Sequence, residues 1–117
     1  NKLKKKDKKT IKMEIPQIGF GTYRLHKKTV DSVSYALKSG YRHIDTAPLY
    51  KNEAEVGAAL NSCGIDRKQI FVTTKISRNE LKTNSIEESI KSVSKYQNTI
   101  ACVVGSIYLI GKVLNLN

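Results

Sequence analysis

Tryptophan is absent, and phenylalanine, proline, cysteine and histidine occur only twice each, so six tyrosines supply most of the aromatic bulk. Two cysteines, Cys63 and Cys102, are too few for a disulfide framework. Reduced thiols in a cytoplasmic setting are therefore the expectation. Neither cysteine has ligand company at metal-site spacing, so no metal centre is expected. No apolar run approaches the ~18 residues that mark a membrane span. The longest uncharged stretch, Tyr96 to Gly111, is broken by Gln97, Asn98, Gly105 and Ser106. A secretory leader is not expected either, because the basic opening runs into Ile11-Lys12-Met13-Glu14-Ile15-Pro16 rather than an apolar core. With 39% hydrophobic and 26% charged residues, the 117-residue chain has the composition of one folded domain.

Acidic residues are also scarce: 10 against 21 basic ones, for a net charge of +11. Seven of the lysines, with only Asp7 against them, lie in residues 1–12. That segment reads as a solvated basic tail with too few apolar groups to order it. It lacks the interleaved aromatics of a single-strand binder. No specific nucleic-acid partner and no membrane partner are expected, although net charge alone keeps a basic nucleic-acid-associated protein as a further alternative. Residues 13–95 carry a regular pattern, and residues 96–117 form a divergent apolar segment.

Between Ile15 and Val93 the pattern alternates strand and helix. Ile18-Gly19-Phe20-Gly21-Thr22-Tyr23 reads as a short strand ending in turn residues. Thr29 is a plausible cap for a helix whose stripe is Val30, Val33 and Leu37, stopped at Gly40. Tyr41 to Thr46 is the next strand. Asn52 can cap a second helix, with Val56, Ala59, Leu60 and Cys63 on one face and Gly64 as its stop. Gln69 to Thr74 is the clearest strand. Ser85 with Glu88 forms a capping box before a helix with Ile86, Ile90 and Val93 on its apolar face. Such alternation means βαβ units and a parallel sheet, as in an α/β barrel or a doubly wound sheet.

Parallel sheets place chemistry at the C-terminal ends of their strands. The residues there are Gly21-Thr22-Tyr23, then Asp45, then Thr74-Lys75, with Tyr50 in the loop after Asp45. An Asp, a Lys and a Tyr converging there could move a proton, since a cation beside a phenol favours its ionised form. The same spacing also fits an ordinary Asp–Lys pair with an unrelated surface Tyr.

Gly40-Tyr41-Arg42-His43-Ile44-Asp45-Thr46-Ala47, followed after five residues by Glu53-Ala54-Glu55-Val56-Gly57, resembles the first signature of the aldo-keto reductases. "IPQIGFGTYRL" resembles that family's first barrel strand and "IFVTTKI" its third. The resemblance implies a (β/α)8 TIM barrel, present here as its first three to four strand–helix units. It implies an oxidoreductase that takes hydride from NADPH and reduces aldehydes and ketones. Carried over, Tyr50 is the proton donor, Lys75 lowers its pKa, and Asp45 holds Lys75 by an ion pair. Gly21, Thr22 and Tyr23 resemble the turn that lies against the nicotinamide and ribose of NADP(H), and Asp45 resembles a ribose contact. Arg42 and His43 carry structural duties, His26 is solvated, and Glu53 pairs with an Arg or caps its helix. The family's fourth catalytic member is a His in a segment like "DLYLIHWP". Ser106-Ile107-Tyr108-Leu109-Ile110-Gly111-Lys112 matches that segment best, with Gly111 at the His position, and no histidine follows His43.

A complete barrel needs ~250 residues. The expectation is therefore a truncated chain that holds the proton-delivering residues but lacks the second-half contacts to adenine and phosphate. Little turnover is expected from it alone. An inactive remnant or a regulatory fragment is the alternative. An open sheet edge would favour self-association or cover from the C-terminal segment.

Overall fold

The computed structural model describes residues 14–77 together with Glu88 and Lys91, both helical. The basic tail, the rest of the helix expected after Ser85, and residues 96–117 with Cys102 and Gly111 lie outside the described residues. The described elements are β1 (Phe20–Gly21), α1 (Thr29–Lys38), β2 (His43–Asp45), α2 (Glu53–Ser62) and β3 (Phe71–Thr73). Single 3₁₀ turns at His26–Lys28, Pro48–Tyr50 and Arg67–Gln69 lie in the connections. The strands form one parallel sheet in the order β1-β2-β3. The α/β class expected from the alternation is the one observed.

Register explains the two faces of the sheet. Phe20, Ile44 and Val72 lie side by side across the three strands. Ile44 is fully buried, and Phe20 and Val72 pack against the same core. Val33 and Leu37 of α1, Val56 and Ala59 of α2, and Ile70 complete it. Alternate residues point the other way, so His43 and Asp45 leave the helix side. His43 shares a 2.7 Å hydrogen bond with Thr73 and stands edge-on to Phe71 at 5.1 Å. A Cβ on Gly19 would come within 2.9 Å of the imidazole. Glycine at position 19 is therefore the clearance that His43 needs.

The strands are shorter than their sequence patterns because helix ends and turns claim the flanking residues. Tyr41, expected in β2, instead finishes α1. Its N–H bonds to Ala36 and that of Gly40 to Leu37, with Gly40 left-handed at φ +103°. These are the two bonds of a Schellman stop. Arg42 adds its guanidinium to the carbonyls of Leu37 and Tyr41, a structural duty as expected. The buried stripe of α1 is Thr29, Val33, Ala36 and Leu37. Val30 falls at the edge of that face and stays 36% exposed. Thr29 is the first residue of α1 rather than its cap, and its hydroxyl donates to the His26 carbonyl. Asn52 occupies the cap position of α2, but its side chain bonds to none of that helix's N–H groups.

Candidate active site

β2 carries Asp45 to the C-terminal end of the sheet, on the side away from the helices. Thr73 of β3 lies opposite Asp45, so Lys75, two residues further on, reaches back across the strand end. Its ammonium is 2.5 Å from Asp45 Oδ1 and donates to the Thr46 carbonyl at 2.9 Å. The pair is half open to solvent, at 46% and 38% side-chain exposure.

Tyr50 arrives on the 3₁₀ turn begun by Pro48, whose fixed φ suits a first helical position. The Lys75 ammonium lies 5.2 Å from the centre of the Tyr50 ring, and the Tyr23 ring lies 5.0 Å from it. Burial pulls the Lys75 pKa down, but the hydrogen bond and charge of Asp45, with a smaller contribution from the neighbouring Tyr50, outweigh it. The net effect raises the pKa above 10.5. Lys75 is therefore a fixed cation beside the phenol at neutral pH.

The structure thus brings Asp45, Tyr50 and Lys75 together at one strand end, with Tyr23 beside them. Gly21 stands opposite Asp45 in the sheet, and an added Cβ there would meet nothing within 4 Å, so it offers bare backbone at the site's edge. Thr22 faces inward: it is fully buried, and its hydroxyl, N–H and carbonyl all bond within the protein. Among the described residues Glu53 pairs with no Arg. It accepts a hydrogen bond from Thr74 at 2.5 Å, joining the start of α2 to the end of β3. His26 is exposed, as expected. An open cleft of about 720 Å³ adjoins Tyr50, with Tyr23, Leu49, Arg24, Lys27, Lys51 and Glu55 among its lining residues. Among the described residues no cluster of His, Cys, Asp and Glu could hold a metal, and no helix is long and apolar enough to cross a membrane.

Sequence reasoning missed Thr46, read Asn52 only as the cap whose position it does occupy, and misassigned Thr29 as a cap. All three are buried polar residues at element ends. The available signal was position: Thr29 lies one helical turn before Val33, and Thr46 two residues beyond Ile44, where apolar side chains would be expected.

A short parallel sheet alternating with helices is the arrangement of the opening units of an α/β barrel. Residues 17–103 match the model of the aldo/keto reductase family, and the chain belongs to that family. It is 57% identical over 65 residues to methylglyoxal reductase DkgB of Yersinia pestis, covering 55% of this chain and 24% of that protein. It is 52% identical over 64 residues to glycerol 2-dehydrogenase (NADP(+)) of Saccharomyces cerevisiae, covering 54% and 20%. Among solved structures it resembles MGS-M4, an aldo-keto reductase from a deep-sea metagenome. There the TM-score is 0.61 and the identity 42%, over 71% of this chain and 30% of that one. The chain therefore spans between a fifth and a third of the length of these relatives.

Proposed function

We propose that this chain carries the proton-delivering side of an NADP(H)-dependent aldo-keto reductase that reduces aldehydes or ketones to alcohols. The observation behind this reading is the convergence of Tyr50, Lys75 and Asp45 at one strand end beside an open cleft. The Tyr50 hydroxyl delivers a proton to the carbonyl oxygen of a substrate lying in that cleft. The Lys75 cation stabilises the negative charge left on the phenol, because opposite charges attract across this short distance. Asp45 fixes the ammonium beside the ring and keeps it from swinging into solvent. NADPH, when bound, supplies the hydride.

The residues present fit that cofactor at its reactive end. Gly21 leaves the strand end bare, and Tyr23, 57% exposed, offers a flat aromatic surface next to Tyr50. One relative carries NADP(+) in its name, glycerol 2-dehydrogenase of Saccharomyces cerevisiae. The half-buried free thiol of Cys63 suits a reducing cytoplasm. Among the described residues β1 and β3 keep open pairing edges, which support self-association as a way to cover them.

Titration of NADPH fluorescence with the 117-residue chain tests the cofactor assignment. Saturable binding with a Kd weaker than about 1 μM, roughly −8 kcal/mol, is expected, and Tyr23→Ala should weaken it further. Absence of saturable binding, or binding indifferent to Tyr23, would remove the nicotinamide from this site.

A further inference from the structure

We propose that Asn52 is a positioning residue for Tyr50, the centre of a buried polar clasp that holds the reacting side chains at the strand ends. This role rests on the reading of Tyr50 as the proton donor. Asn52 is only 4% exposed, yet both its N–H donors and its carbonyl oxygen find partners. Nδ2 donates to the Thr22 carbonyl at 2.8 Å and to the Thr29 hydroxyl at 3.2 Å. Oδ1 is approached by the hydroxyls of Thr22 at 3.5 Å and Thr46 at 3.4 Å. The two donated bonds are short and the two accepted ones long, so the donors carry the clasp. The Thr22 hydroxyl also lies 3.0 Å from that of Thr46, and Thr29 passes its own proton to the His26 carbonyl.

These four residues come from four places: the end of β1, the start of α1, the end of β2 and the entry to α2. Thr46, Thr22 and Asn52 are each tied to the site through the backbone. The Thr46 carbonyl receives the Lys75 ammonium. The Thr22 N–H donates to the Asp45 carbonyl at 3.0 Å. Asn52 lies two residues after Tyr50, across Lys51, which is left-handed at φ +54°. The turn between is stiffened by bonds from the Tyr50 N–H to Ala47 and from the Lys51 N–H to Pro48. One neutral side chain therefore fixes the loop bearing Tyr50 relative to the carbonyl that seats Lys75.

The choice of residue supports this role. Asp or Ser caps a helix as well as Asn. Only an amide offers two donors and an acceptor at once, and here the donors bond away from the helix. Asn52→Asp keeps capping ability and shape but removes both N–H donors. Thr29→Val removes one partner at nearly constant volume, and Thr29→Ser keeps it.

Nuclear Overhauser contacts in the 117-residue chain with labelled tyrosines supply the test. Asn52→Asp and Thr29→Val should lose the contacts from the Tyr50 ring to the Lys75 side chain and to the Tyr23 ring. Contacts between β2 and β3 should persist in both. Thr29→Ser should restore the Tyr50 contacts, and Leu37→Ala, a core variant remote from the clasp, should keep them. If Asn52→Asp does not fold, the Thr29 pair decides. Wild-type Tyr50 contacts in Asn52→Asp or Thr29→Val would overturn the proposal, as would equal loss in Leu37→Ala or no recovery in Thr29→Ser. None of these readouts needs turnover. Failure of the reductase reading would leave the placement of Tyr50 measurable by the same contacts.

Discussion

Two polar clusters lie within a few residues of each other at the strand ends, and they are built on opposite principles. The group of Thr22, Thr29, Thr46 and Asn52 is buried, neutral and fully hydrogen-bonded. The Asp45–Lys75 pair with Tyr50 is charged and partly open to water. Burying charge is costly unless every partner is present, whereas a satisfied neutral network is rigid at small expense. The molecule thus uses neutral groups to hold position and leaves the charged groups where a substrate can reach them.

The largest expected stability effect lies outside both clusters and serves as their control. Leu37→Ala opens a cavity in the helix–sheet core and should cost about 4 kcal/mol in urea unfolding. The geometry around Tyr50 should be unchanged. Asn52→Leu should cost about 3 kcal/mol, because the Thr22 carbonyl and the neighbouring hydroxyls lose a buried partner. A loss of only a few tenths would mean that the clasp is dispensable.

The charged cluster should behave in the reverse way. Lys75→Met should cost less than about 1 kcal/mol, since a half-exposed ion pair contributes little to stability, while abolishing the reductase activity proposed for the completed barrel. A stability loss as large as that of Asn52→Leu would erase the distinction between the two clusters. The smallest effect is in its pH dependence. The folded-state pKa of Lys75 is raised, so its stabilisation is complete below pH 10.5 and is lost as pH climbs through the raised value. The gap in stability between wild type and Lys75→Met should therefore be constant near neutrality and close only at alkaline pH above 10.5.

What the sequence made legible was whatever it encodes locally. Ile44 between His43 and Asp45 announced a strand with two unlike faces. Gly40 announced the end of α1. Asp45, Tyr50 and Lys75 stood at strand ends in a pattern tied to known chemistry. The clasp was not legible, because its partners are distant in sequence. Asn52 bonds to Thr22, 30 residues away, and to Thr29, 23 residues away. A local reading can assign Asn52 only to its own helix, and Thr29 likewise. Val30 looked apolar enough for the core, but burial depends on where α2 and the sheet lie, and that side of α1 was left open.

The most direct test of the Tyr50–Lys75–Asp45 site is NADPH-dependent reduction of 4-nitrobenzaldehyde, followed as loss of cofactor absorbance. The chain spans 24% of DkgB from Yersinia pestis. The assay therefore mixes it with a DkgB polypeptide that lacks the first three strand–helix units. Reductase activity should appear in the mixture and be lost with Tyr50→Phe, which removes only the proton-bearing oxygen. Activity that survives Tyr50→Phe would contradict the assignment, as would a stable mixed complex that reduces no aldehyde.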